Sequence, residues 1–222
     1  MGATHHPADR LAERDVAPPR AREAATSARP AFIIADPGPL GLAGFALTTF
    51  VLSMFNADLV SRAGEPVVLG LAVAYGGLAQ LLAGMWEFRT GNTFGAVAFS
   101  SFGAFWISFF VYVAFFARAV PATDAGNAVG LYLIGWGIFT AYMFVASLRT
   151  TAAVALVFLL LAATFIVLGI GNANTSNSLV KVGGWLGLAT AVAAWYASFA
   201  AVVNATFGRV LVPVMPLRRT EE

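Results

Sequence analysis

Six long stretches of the chain contain no aspartate, glutamate, lysine or arginine: residues 37–57, 66–86, 90–117, 125–148, 150–180 and 182–208. A helix rises about 1.5 Å per residue, so roughly 20 residues cross a hydrocarbon core about 30 Å thick. Every stretch is long enough. Only helices and closed barrels satisfy their own backbone in lipid, and these runs are too long and too evenly apolar for barrel strands. The pattern predicts an all-α membrane protein with six transmembrane helices per subunit. The fifth stretch is mixed. Its apolar part ends near Ile170, and Asn172, Asn174, Thr175, Ser176, Asn177 and Ser178 read as a polar loop.

Composition agrees with a membrane protein. The 222 residues are 59% hydrophobic and 11% charged, against roughly 25% charged in an ordinary globular domain. A soluble fold could not cover itself with so little polar surface. The excess of Lys and Arg over Asp and Glu, 13 against 11, is too small to suggest nucleic-acid binding. With no cysteine, disulfides, thiolate nucleophiles and cysteine-based metal sites are excluded. The two histidines, His5 and His6, lie in a polar tail and read as solvated side chains, with a weak metal site as the alternative. No cofactor is expected.

Lysine and arginine placement sets the expected orientation. With six spans both termini share one side. That side would hold ten basic residues (Arg10, Arg14, Arg20, Arg22, Arg29, Arg89, Arg149, Arg209, Arg218 and Arg219) against three on the other, Arg62, Arg118 and Lys181. Both termini are therefore expected in the cytoplasm, and the protein in the plasma membrane. Residues 1–35 mix alanine, proline, arginine and acids without the apolar core of a signal peptide. They read as a disordered cytoplasmic tail. Residues 36–212 form the transmembrane domain, and 213–222 a second short tail.

No span carries a charge near its centre, which argues against a voltage sensor or a mid-membrane carboxylate relay. Charges gather at span ends. Asp36-Pro37-Gly38-Pro39-Leu40-Gly41-Leu42 opens the first span. Asp suits an N-cap and Pro the first helical turn. Pro39 and Gly41 exceed what a cap requires, so contact of this helix end with an anionic substrate stands beside capping. Glu87, directly after Trp86, has nearby arginines as partners; a paired structural role and a role in proton or substrate passage are both open. Glycines such as Gly41, Gly44, Gly77, Gly84, Gly183, Gly184 and Gly187 suit close helix packing in lipid. Of the 19 phenylalanines, some could line a narrow apolar constriction.

Several motifs, in order, resemble the acetate uptake transporters of the succinate–acetate permease type. Asp36 to Leu42 is similar to the family signature Asn-Pro-Ala-Pro-Leu-Gly-Leu. Tyr75-Gly76-Gly77-Leu78-Ala79-Gln80 with Ala83-Gly84 and Glu87 resembles its second helix, and Gly91-Asn92-Thr93-Phe94-Gly95 with Phe99, Ser101, Gly103, Phe105 and Trp106 its third. Trp136 to Thr140 resembles the fourth, and Gly184-Trp185-Leu186-Gly187-Leu188 with Tyr196, Asn204 and Gly208-Arg209 the sixth. The resemblance covers roughly residues 36–213. It implies a proton-coupled or channel-like carrier of acetate and related small monocarboxylates, sometimes succinate, assembled as a homo-hexamer with one pore per subunit. The family's pore narrows at positions that fall on Phe45, Phe102 and Leu161, with Ala194 also facing the path. Two departures stand out: Asp36 replaces the family's Asn, and Phe102 its Tyr.

The remaining path candidates are polar residues that could replace water around a carboxylate: Thr48, Thr49, Gln80, Asn92 and Thr93, with Leu40 and Tyr75 from the motifs. Partners are then a small carboxylate, protons and the bilayer. The competing readings are a passive channel for acetate or another small solute, and a non-transporting sensor or assembly protein. An intramembrane enzyme is disfavoured, because the spans hold no paired aspartates, histidine cluster or nucleophile–base set.

Overall fold

A computed structural model of the protein describes residues 34–217. His5, His6 and all but the last two residues of the expected tail lie outside the described residues, as do the final five residues.

Six helices are long and apolar enough to cross a membrane: α1 Gly38–Asn56, α2 Val67–Thr90, α3 Thr93–Ala119, α4 Ala122–Ser147, α5 Ala152–Ala173 and α6 Asn177–Phe207. The local sequence explains where each begins. Pro37 and Pro39 bracket the start of α1, and the Asp36 Oδ1 accepts the Gly38 N–H at 2.8 Å. Asn92, Thr151 and Ser176 cap α3, α5 and α6, their side-chain oxygens accepting the N–H groups of Gly95, Val154 and Leu179. Pro66 and Pro121 immediately precede α2 and α4, where their missing N–H costs nothing.

The loop between α5 and α6 is shorter than the expected 172–178. Asn172 stays helical, and its amide donates to the Leu168 carbonyl at 2.8 Å; Asn174 likewise donates to Ile170 at 2.9 Å. These amides satisfy carbonyls of the last turn, so polar side chains extend the helix end rather than break it. Asn177 and Ser178 already belong to α6.

That shift puts Lys181 inside α6, about one turn from its start. Its ammonium meets the Asp58 carboxylate at 2.6 Å, with both side chains half exposed. Asp58 lies beyond the end of α1, and the hydrogen bond and charge of Lys181 lower its pKa below the ordinary carboxylate value. A lowered pKa contributes stability fully present above the unfolded value and lost as pH falls through the folded one. Lys181→Ala is expected to return Asp58 to the ordinary range in a carboxyl ¹³C NMR titration of the detergent-solubilised protein. An unchanged titration would show that the pair does not persist in solution.

The extensive helix pairings are α1 with α6, α6 with α5, α5 with α4, α2 with α3, and α2 with α1. Within α2, residues Ala74–Ala79 form a π turn, and Gly44 of α1 backs onto it: a Cβ there would lie 2.6 Å from the Tyr75 carbonyl oxygen. Small residues make this approach possible in lipid, where packing rather than water expulsion drives helices together.

Backbones of α3 and α4 approach each other only sparsely, and aromatic rings fill that seam. Phe105 stacks on Tyr132 at 5.7 Å between ring centroids and meets Trp136 edge-on at 5.3 Å. Phe102 reaches Trp136 and Phe139 of α4, Phe45 of α1, and Phe158 and Phe165 of α5. One side chain of α3 therefore touches three other helices at the centre of the bundle.

Candidate substrate path

Two cavities open toward opposite ends of the helices. One lies where α1, α3 and α5 begin and α2 and α6 end, and has a volume of about 320 Å³. Its polar lining is Asp36, Glu87, Asn92, Thr150, Thr151 and Asn204, above an apolar floor of Leu42, Ala98 and Phe158. We call it the terminal-side vestibule. The distal vestibule, about 340 Å³, lies where α1, α3 and α5 end; Asn56, Arg62, Glu65, Tyr132 and Asn172 supply its polar groups.

Between the two levels lie Phe45, Phe102, Leu161, Phe165 and Ala194, each no more than 4% exposed. The chain order of each helix fixes this. On α3 the terminal-side vestibule reaches Phe99 and the distal one begins at Phe105; on α5 the corresponding limits are Phe158 and Leu168. Phe102 sits 5.8 Å from Phe45 and 6.0 Å from Phe158 between ring centroids. The arrangement is two vestibules, each carrying a few polar side chains among mostly apolar walls, separated by a short aromatic and aliphatic plug.

Glu87 is the buried charge of the terminal-side mouth, 2% exposed. The Thr90 hydroxyl donates to its Oε2 at 3.0 Å. Its other oxygen packs between the first turns of α1 and α3: a Cβ on Gly95 would lie 2.6 Å from Glu87 Oε1, and a Cβ on Gly38 3.5 Å from it. Gly95 leaves the room the carboxylate occupies. Asp36 Oδ1 flanks the same Gly38 from the other side. Arginines were the expected partners of Glu87, but the only salt bridge among the described residues joins Lys181 and Asp58. Glu87 rests instead on the Thr90 hydroxyl and beside the Asn92 amide, because it lies one turn inside α2 while Arg89 is exposed.

The candidates read from sequence thus separate. Asp36, Glu87 and Asn92 meet at the terminal-side vestibule. Phe45, Phe102, Leu161 and Ala194 are buried at the level between the two vestibules. Leu40 and Thr93 line neither vestibule. Leu40 is 44% exposed, because Gly38, Pro39 and Leu42 take the cavity-facing side of α1 and the helical turn points Leu40 away. Thr48, Tyr75 and Gln80 also line neither vestibule. Thr48 and Tyr75 sit where α1 meets α2: Thr48 donates to the Gly44 carbonyl and lies against Gly76, Gly44 backs onto the Tyr75 carbonyl, and α2 contributes only Glu87 to the terminal-side cavity. Gln80 is 1% exposed, and its Oε1 has no hydrogen-bond partner among the described residues.

Other lining residues escaped the sequence. Phe158 and Phe165 lie one turn either side of Leu161, and that helical spacing was the available signal. Asn204, a lone amide in an apolar span, was another. Val214, by contrast, gave no local signal at all.

The sequence matches the GPR1/FUN34/yaaH family over residues 21–219. The chain belongs to this family. Acetate permease A of Emericella nidulans is 42% identical over 195 residues, covering 81% of this chain and 65% of that protein. Ammonia transport outward protein 2 of Saccharomyces cerevisiae is 45% identical over 180 residues, 79% of this chain and 64% of that protein. The chain thus spans just under two thirds of these fungal relatives. Against the succinate-acetate/proton symporter SatP of Escherichia coli it is 37% identical over 183 residues, 82% of this chain and 95% of that one. The solved bacterial acetate channel SatP superposes with a TM-score of 0.77 at 34% identity, covering 82% of this chain and 99% of that one. The six-helix family fold is therefore common to both, and the motif resemblance points to the same group of proteins.

Proposed function

We propose that this protein carries acetate and related small monocarboxylates across the plasma membrane, along a path from one vestibule to the other through each subunit. The observation that carries this reading is the alignment of two polar vestibules across the Phe45, Phe102 and Leu161 level. Acetate joins a methyl group to a carboxylate. A narrow apolar ring filters the methyl end by width, while polar groups at each mouth replace water around the carboxylate. The relatives support the substrate class, since one is named an acetate permease and another a succinate-acetate/proton symporter.

Proton coupling is the finer part of the proposal. Of the residues lining the terminal-side vestibule, Asp36 and Glu87 are the titratable ones. Two carboxylates at the mouth of an anion path repel the substrate unless they hold a proton, so a proton entering with the anion resolves the conflict. The distribution of basic residues supports a cytoplasmic position for this mouth, and the family resemblance supports a homo-hexamer.

A passive channel is the second reading. The level between the vestibules carries no charged residue, which favours weak binding and fast release, and the solved relative is described as a channel. Labelled-acetate flux into proteoliposomes separates the two. Symport gives uptake above equilibrium with an inward proton gradient, and that accumulation collapses with a protonophore. Accumulation that survives the protonophore rejects proton coupling; flux that only equilibrates supports the channel; no acetate movement at all rejects transport.

A further inference from the structure

Residues 213–222 read as a short free tail, but the part described here is not free. After α6 the chain turns at Gly208, whose φ of +64° is a left-handed conformation suited to glycine. It then doubles back across the ends of α6 and α5. The Asn204 side chain clasps it: Oδ1 accepts the N–H groups of Leu211 and Val212 at 2.8 and 2.9 Å, and Nδ2 donates to the Val212 carbonyl at 2.8 Å. The Tyr196 hydroxyl donates to the Pro213 carbonyl. Further on, the Ala152 N–H donates to Met215 at 2.8 Å, and the Leu217 N–H donates to Thr150 at 2.9 Å, around an antiparallel bridge from Thr151 to Pro216. The first N–H groups of a helix lack intrahelical partners, and this segment supplies acceptors for two of them at the start of α5, Met215 for Ala152 and Val214 for Ala153.

Val214 is half-buried between exposed Pro213 and Met215. Val214 lines the terminal-side vestibule together with Asn204, Thr150 and Thr151, whereas Met215 does not. The strap thus adds one side chain, Val214, to a mouth whose other walls are membrane helices and the Thr150–Thr151 corner.

We propose that the strap Val210–Leu217 is a selecting wall of the terminal-side mouth, with Val214 setting the size of acid admitted and Asn204 as the positioning residue that holds Val214 in place. The proposal rests on the reading that this vestibule belongs to the transport path. Val214 is an apolar side chain in the same lining as Asp36 and Glu87, so the hydrocarbon end of an entering acid finds apolar surface there. Longer acids meet that wall first. The clasp by Asn204 uses both of its polar groups on the backbone of one residue, Val212, a geometry alanine cannot replace.

The absence of cysteine from the chain makes a direct test available. Val214→Cys and Met215→Cys, each in the full chain in proteoliposomes, carry a single thiol. With a small cationic methanethiosulfonate, labelling of Cys at 214 is expected to block most acetate flux and to slow when acetate is present. Labelling at 215 is expected to do neither. In parallel, Val214→Ala and Asn204→Ala should each raise the uptake ratio of butyrate to acetate by up to about tenfold, within the range a small change of apolar pocket volume commands. Labelling at 214 that proceeds equally fast with and without acetate, or ratios unchanged in both alanine variants, overturns the proposal. If the unaltered chain moves no acetate, the transport reading fails instead; acetate protection of the thiol, read by mass, still reports on the strap.

Discussion

Leu161→Ala is expected to admit lactate and other acids larger than acetate through a path that otherwise discriminates against them. Leu161 is 3% exposed, at the level of Phe45 and Phe102 between the two vestibules. Phe102 is held there by rings on α1, α4 and α5, so it cannot swing to refill the space a shortened Leu161 leaves. One methylene in an apolar site is worth about 1–3 kcal/mol of discrimination, or roughly 10- to 200-fold. Shortening leucine to alanine should therefore lower the preference for acetate over lactate by at least about tenfold, mainly by raising lactate flux. A buried leucine-to-alanine change also costs roughly 2–5 kcal/mol of stability, so the variant must be compared at equal amounts of folded protein. Leu161→Met, which nearly conserves volume, should keep the original preference and serves as the control. Competition uptake of acetate against lactate makes the measurement, and an unchanged preference in the alanine variant removes Leu161 from the constriction.

Asp36→Asn is expected to raise acetate flux at neutral pH by about fivefold. The estimate follows from roughly 1 kcal/mol between unit charges about 4 Å apart in water, the medium that applies because Asp36 is exposed. Asparagine keeps the side-chain oxygen that accepts the Gly38 N–H, so the helix start is preserved and only the charge is removed. The difference should shrink as salt rises, since the screening length falls from about 10 Å at 0.1 M to about 3 Å at 1 M. Glu87→Gln adds to the effect if the two carboxylates act on the same anion. Flux measured across a salt series decides the matter: equal flux for Asp36→Asn and the unaltered chain under every condition reduces Asp36 to its bond with the Gly38 N–H.

Asp36 stands one residue before the N-cap, which is Pro37; its side chain accepts the Gly38 N–H from there, and it lines the vestibule. Glycine and proline at that spacing were legible as a helix start because capping is a local matter, settled within one turn. Glu87 was legible as unusual for the same reason, a carboxylate at the end of an apolar span. Its partners were not, since Thr90 lies on the same helix while Gly38 and Gly95 come from two others. Thr48, Tyr75 and Gln80 show the converse. Polarity made Thr48 and Gln80 candidates and a motif made Tyr75 one, yet which residues line a cavity depends on which face of a helix meets which neighbour. The hydrophobic pattern gave little guidance there, because in lipid both faces of a helix are apolar.

Length and charge spacing alone determined the six spans, since a continuous apolar run in lipid must close its own backbone hydrogen bonds within one helix. The motifs, read in order, determined the family. Tertiary structure decided what lies inside. It gathered Phe45, Phe102, Leu161 and Ala194 from four helices onto one level, and it carried Val214 back from beyond the last span to the terminal-side vestibule. These placements rest on contacts between distant parts of the chain: a ring that fills the gap between α3 and α4, and an asparagine clasp that turns a tail into a wall. Such contacts leave no periodic trace in sequence, because each is satisfied by a partner far along the chain.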